Sequence, residues 1–294
     1  MNNSNQLVCT FVSKKKLDTN SVVNFFSKIQ NTNHFEILSS RALDLYCDPF
    51  NKINEKKLRK FCLKKKIDIC IQKLKFRKKK LFFSDMDATI IHNETLDDLV
   101  KIAGIKIDIE KTTKLAMEGK IGLRETLKLR VNYLKGKSIS LISKVLKNIK
   151  FRDGASVLVK TLNRNDYHSV LITGGFQPIS TYVAKYLGFK KHVSNKFVTK
   201  NGKFTGDYIP ITGHKNSKLF YLNKVCNEMK ISKIKDVISI GDGSNDLKML
   251  KASGLGIGFM AHKIIQENIK NQIRFTDLRT VLFYLGFKEK EFIY

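Results

Sequence analysis

From Leu81 onward the chain repeats one pattern: a short, nearly unbroken apolar run, a break on small or acidic residues, then apolar positions at helical spacing. The runs are LFFSDMD at 81–87, HSVLITGG at 168–175 and DVISIGDG at 236–243. Strands that are apolar on both faces and alternate with helices predict a parallel sheet covered on both sides, the α/β class. In such sheets ligands bind beyond the carboxyl ends of the strands. Residues 97–149 show helical periodicity without strand patterning, which predicts a helical cap inserted over that edge. An Asn-Gly pair within KFVTKNGKFTGDYI, 196–209, predicts a hairpin and reads as a minor insertion.

The pattern before residue 77 is different. Short strands such as LVCTFV and IDICIQKL alternate with amphipathic segments near Ser21–Ile29 and Glu55–Lys65, predicting a small α+β unit over 1–76. Arg77-Lys78-Lys79-Lys80 then reads as a solvated basic linker, 77–80, to a main domain over 81–294.

Composition changes this picture little. A hydrophobic content of 42% describes a folded chain, and no run approaches the ~20 apolar residues of a membrane span. The opening MNNSNQLVCTFVSKKK has no charged leader before an apolar core, so a cytoplasmic location is expected. Cys9, Cys47, Cys62, Cys70 and Cys226 lack any CxxC pairing and read as reduced thiols. With 55 basic and 26 acidic residues the formal charge is +29, which raises a nucleic-acid partner. Lysine is spread along the whole chain, Asn and Ile are abundant and Trp is absent, as AT-rich codon usage produces. No specific nucleic acid is therefore expected, although the positive field favours a phosphorylated substrate.

The chemistry sits at the strand ends. Asp85 and Asp87 are separated by one residue, so both project to one side if strand geometry persists. Such a pair suits metal binding, or nucleophile and acid roles, or simply a turn. Asp242, in GDGSND, ends another strand and could join them; carboxylates of this kind select Mg²⁺. Thr173-Gly174-Gly175 ends the middle strand ahead of Pro178, where a helix can begin and offer a hydroxyl and N–H groups to an anion. Gly254-Leu255-Gly256-Ile257-Gly258 lacks the spacing of a dinucleotide loop and reads as close packing in a late core strand.

In order, DMDAT, TGGF, Lys218 followed four residues later by Leu222, and GDGSNDLKML resemble the haloacid dehalogenase superfamily, and within it the phosphoserine phosphatases, over roughly residues 80–285. The resemblance implies a Rossmann-like core with a helical cap and hydrolysis of O-phosphoserine in serine biosynthesis, the alternative being another small phosphomonoester. It implies that Asp85 is the nucleophile and Asp87 the proton carrier. Mg²⁺ would be held by the Asp85 carboxylate, the Asp87 backbone carbonyl and Asp242, with Asp246 in support. Thr173, Gly174, Lys218 and Asn245 correspond to groups holding phosphoryl oxygens. Glu94 corresponds to the acid that receives the substrate ammonium, Arg130 to the clamp on its carboxylate, and Met117 to an apolar residue closing over the ligand. Ala88, where Gly or Ser is usual, Thr173 for Ser and Leu123 for an aromatic depart from the pattern. The N-terminal unit resembles ACT-like modules, so a regulatory or dimerising role, and with it a homodimer, is left open.

Overall fold

The structure is a computed structural model that describes residues 5–105, 122–212 and 216–294. Strands β5 (Leu81–Ser84), β6 (His168–Gln177), β7 (Lys191–Lys200), β8 (Lys203–Ile209), β9 (Val237–Gly241), β10 (Leu255–Phe259) and β11 (Asn271–Ile273) form one sheet in the order β11-β10-β9-β5-β6-β7-β8. All neighbours are parallel except β7 and β8. β5, wholly buried, is central, with β6 and β9 on either side. The three apolar runs singled out in the sequence therefore lie side by side, and their polar ends share one edge.

Helices cover both faces, as the continuous apolar strands require. Leu158, Val159 and Leu162 of α6 (Ala155–Arg164) pack with Phe82 and Leu171 on one side. Leu222 and Val225 of α8 (Ser217–Glu228) pack with Phe83 and Val170 on the other. Between β6 and β7 runs α7 (Ile179–Leu187), which begins after Pro178 as expected. The glycines around β10 are needed for contact: a Cβ at Gly254 would strike the carbonyl of Ile234, and one at Gly256 that of Leu250.

Among the described residues the cap contains α3 (Thr95–Ile102), α4 (Leu123–Tyr133) and α5 (Leu141–Lys147), which bury Leu99, Val131, Leu134 and Val145 together. Met117 lies outside the described residues. The β7–β8 hairpin turns on Asn201 and Gly202, at φ 49° and 70°, the left-handed pair that a tight two-residue turn demands. It does more than extend the core. Gly136 N–H donates to Phe204 O at 2.8 Å and Ile139 N–H to Gly202 O at 3.0 Å, so the hairpin carries the cap.

The N-terminal unit is an antiparallel sheet of β1 (Leu7–Ser13), β2 (Thr32–Ser39), β3 (Ala42–Cys47) and β4 (Ile67–Lys73), ordered β2-β3-β1-β4. Helices α1 (Thr19–Ser27) and α2 (Lys52–Lys64) cover one face, where Phe11, Phe26, Leu45 and Leu58 form a core. The other face packs Val12, Leu38, Ala42 and Cys70 into the main core, and polar groups of β4 tie it to the main sheet's flank. Asp68 accepts from the N–H groups of Arg274 (2.8 Å) and Thr276 (3.0 Å), and Asn271 Oδ1 accepts from Ile71 N–H at 3.2 Å.

One expectation is corrected here. The basic run 77–80 is not a solvated linker: Arg77 and Lys79 are buried, while Lys78 and Lys80 are exposed. Arg77 pairs with Asp44 at 2.6 Å and donates to Phe283 O and Tyr284 O, and Lys79 Nζ donates to Lys235 O at 3.0 Å. Burial alternates with strand period, a signal that the charge run concealed. The cysteines are all buried and unpaired, in line with reduced thiols. Among the described residues no helix is long and apolar enough to cross a membrane.

Candidate active site

β5 delivers Asp85 to the sheet edge, where it is almost fully buried. Its Oδ1 accepts from Met86 N–H at 2.7 Å and lies 2.6 Å from Lys218 Nζ. Lys218, buried in the first turn of α8, also reaches Asp246 Oδ1 at 2.7 Å. Asp246 is fully buried in the turn between β9 and α10 (Leu247–Ala252), the one-turn α9 (Lys233–Asp236) preceding that strand. Its Oδ2 accepts from Gly243 N–H at 3.1 Å. Asp242, at the end of β9, accepts from Thr89 Oγ1 at 3.0 Å. Carboxylate oxygens of Asp85, Asp242 and Asp246 lie within 4.8 Å of one another.

Three acids against one ammonium leave a negative surplus. Burial, then Asp246, pushes the Asp85 carboxyl well above its usual range, with Lys218 opposing. Asp242 is raised for the same reasons. Burial works against the Lys218 ammonium, but Asp246 and Asp85 outweigh it and hold its pKa above the ordinary lysine value. This cluster is a set of hard oxygen donors with excess charge, a group that could hold a metal ion.

Asp87 is fastened at both oxygens: Oδ1 accepts from Thr95 N–H and Oδ2 from Thr173 Oγ1, each at 2.9 Å. Burial raises its pKa, against the pull of those bonds. Thr173 is thus engaged with Asp87, and it accepts from Gly175 N–H at 2.8 Å as well. A Cβ on Gly175 would sit 3.0 Å from Asp87 Oδ2, whereas one on Gly174 would meet nothing within 4 Å. Glycine at 175 allows close approach; at 174 it leaves room in the cleft. The intervening Ala88 takes φ 52°, a left-handed conformation that costs a non-glycine residue roughly 1–2 kcal/mol.

Asp85, Asp87, Asp242 and the Thr173–Gly175 segment line one cavity of about 630 Å³, together with Glu94, Arg130, Asn245 and His262. Glu94 precedes α3 and Arg130 lies in the last turn of α4, so both come from the cap side. Although solvent reaches Glu94 through the cleft, the surrounding protein, then Asp87 and Asp242, push its carboxyl up to about 8. Arg130 forms an ion pair with Asp97 at 3.0 Å.

The family model for haloacid dehalogenase-like hydrolases matches residues 82–251, from the strand before Asp85 to the helix after Asp246. The chain belongs to the haloacid dehalogenase-like hydrolases. Within that family it is 35% identical to the phosphoserine phosphatase of Methanocaldococcus jannaschii, over 71% of this chain and 99% of that one. Identity to the phosphoserine phosphatase of Lactococcus lactis is 33%, covering 69% and 94%. A solved phospho-aspartyl intermediate analogue of phosphoserine phosphatase superposes with a TM-score of 0.66 at 35% identity, over 70% of this chain and 99% of the other. For the whole chain, a haloacid dehalogenase family hydrolase of Salmonella enterica serovar Typhi has a TM-score of 0.87 over 96% of this chain and 99% of its own, at 21% identity. That last likeness shows a shared fold, N-terminal unit included.

Other residues that build this hydrolase site were not singled out in the sequence. Asn195 is fully buried; its Nδ2 donates to Gly174 O at 2.8 Å, and its Oδ1 accepts from the N–H groups of Ile211 and Thr212. Thr212 Oγ1 donates to Thr173 O at 2.6 Å. The pair clamps the Thr173–Gly175 segment, where the register of β6 shifts. Arg152 Nη2 donates to Ala88 O at 2.9 Å and holds the strained residue from behind. The one available signal was a polar residue, Asn195, inside an otherwise strand-like run.

Proposed function

We propose that this hydrolase is a phosphoserine phosphatase, cleaving O-phosphoserine to serine and phosphate through an aspartyl-phosphate on Asp85, in the cytoplasm and in serine biosynthesis. The observation that carries this reading is one cavity with a lysine-held aspartate on its sheet side and Glu94 and Arg130 on its cap side. Those cap-side groups suit the ammonium and carboxylate of an amino acid whose phosphate points at Asp85. The relatives matched over nearly their full length bear the same name.

In this mechanism an Asp85 oxygen forms a bond to phosphorus as the bond from phosphorus to the serine oxygen breaks. Asp87, whose pKa burial raises, gives its proton to the departing alkoxide. It then takes a proton from the water that attacks the phospho-aspartate, which regenerates Asp85 and releases phosphate. Thr173 and Thr95 fix the Asp87 carboxyl for both transfers. Gly174 and Asn245 border the phosphoryl group, and Lys218 offsets the repulsion between the carboxylate and the phosphate. Two like charges at ~4 Å repel by about 4 kcal/mol at an effective dielectric of 20, roughly three decades of rate.

A divalent cation fits the acid cluster by charge and donor type. Asp85, Asp242 and the Asp87 backbone carbonyl would hold Mg²⁺, with Asp246, tied to Lys218, in support. When bound, Mg²⁺ supplies Lewis-acid neutralisation of phosphoryl charge. The unit over 1–76 is a candidate regulatory or dimerising module. Phosphate release from O-phosphoserine with and without Mg²⁺, beside Asp85→Asn, tests the proposal: activity requires the metal and vanishes in the variant, and full activity in Asp85→Asn refutes the covalent mechanism.

A further inference from the structure

Arg130 carries the amino-acid selectivity in the reading above, yet a long arginine side chain is a poor clamp if it must be ordered at each binding event. Its rotamer freedom is lost on capture, and a group held in place beforehand spares that cost. The structure holds it. Arg130 Nη1 lies 3.0 Å from Asp97 Oδ1, with both side chains largely buried, at 18% and 16% exposure. Arg130 lines the cavity, while Asp97 stands behind it, outside the lining. Asp97 therefore does not occupy the substrate's place.

The position of Asp97 ties the clamp to the reacting end of the site. It lies in the first turn of α3, one turn after Glu94, so the two acids are neighbours on that helix. Thr95 N–H in the same turn donates to Asp87 Oδ1 at 2.9 Å. The first turn of α3 thus joins the proton carrier, the acid facing the ammonium and the arginine facing the carboxylate. Arg130 comes from the last turn of α4, on a different helix. The Asp97–Arg130 pair fixes the guanidinium to α3.

We infer that Asp97 is a positioning residue that sets selectivity for carboxylate-bearing phosphomonoesters by holding Arg130 toward the cavity. This rests on the phosphoserine reading. Asp97 touches no reacting atom, so its loss acts on substrate capture and not on the chemical step. It also acts only on substrates that have a carboxylate to capture.

The experiment compares O-phosphoserine with phosphoethanolamine, which keeps the phosphate and ammonium but lacks the carboxylate, using the full chain with Mg²⁺. For the near-isosteric Asp97→Asn, KM for O-phosphoserine rises about tenfold with kcat within about twofold, as expected when preorganised binding is lost. The kcat/KM for phosphoethanolamine is unchanged. Adding Asp97→Asn to Arg130→Ala raises KM no further, because the aspartate has nothing left to position. Equal losses on both substrates, or additive effects in the double variant, overturn the inference in favour of general support for the cap. No change in Asp97→Asn overturns it too, while leaving phosphoserine selectivity intact. If the unsubstituted chain itself fails to prefer O-phosphoserine, the reading of the site falls and this inference with it.

Discussion

Of the buried cations set against carboxylates, two contrast: Arg77 in the seam between the N-terminal unit and the core, and Lys218 in the cleft. Around Arg77 the account closes: one guanidinium meets one carboxylate, Asp44 at 2.6 Å, and its other donors reach Thr10 Oγ1, Phe283 O and Tyr284 O. Around Lys218 it does not. One ammonium faces Asp85 and Asp246, with Asp242 alongside, so negative charge is left over inside the protein. A balanced buried pair holds two units together; an unbalanced one is poised to receive a cation and a phosphate. Burial alone does not distinguish structural from functional charge, whereas the local balance does.

Replacing each cation separates the two roles. Lys218→Ala leaves the cleft's acids unscreened, and kcat for O-phosphoserine falls on the order of 10²–10³-fold, read by steady-state phosphate release. Arg77→Ala strands Asp44, which is wholly buried, and destabilises the chain by about 3–5 kcal/mol in denaturant unfolding, with kcat per folded molecule unchanged. An Arg77 variant as stable as the parent breaks the comparison.

Metal addition sharpens it. Mg²⁺ at a hundredfold above its dissociation constant stabilises the folded chain by about 2.7 kcal/mol, seen as a rise in Tm. Asp242→Asn removes most of that rise, whereas Arg77→Lys retains it. The smallest effect is on pH. Free Glu94 titrates near 8, so below that pH it is largely protonated and must lose its proton to pair with the substrate ammonium. As pH rises toward 8, kcat/KM for O-phosphoserine therefore climbs by up to about tenfold per unit, then levels. Glu94→Gln abolishes this limb of the profile; an unaltered profile removes Glu94 from the ammonium site.

The seam and the cleft also differ in how far they could be read from the sequence. In the cleft, Asp85, Asp87, Thr173, Asp242 and Lys218 each stand at the end of an apolar strand or within an ordered motif. A parallel sheet gathers strand ends on one edge, so pattern alone brings them together. In the seam, Arg77 and Lys79 were hidden in a run of like charges. Their burial depends on partners at Asp44, Tyr284 and Lys235, and no local pattern names those partners.

By itself the sequence determined the α/β class, the three apolar strands, the hairpin and the acids at the sheet edge, because strand period, apolar continuity and turn chemistry are local properties of the chain. Only the tertiary structure decided which polar groups meet across the fold: Asn195 on Gly174, Arg152 on Ala88, Asp97 on Arg130. Each of these bonds joins residues far apart in the chain, and their pairing follows from how layers stack and helices cross. A sequence states what each residue can bond to; the packing of the whole chain selects what it does bond to.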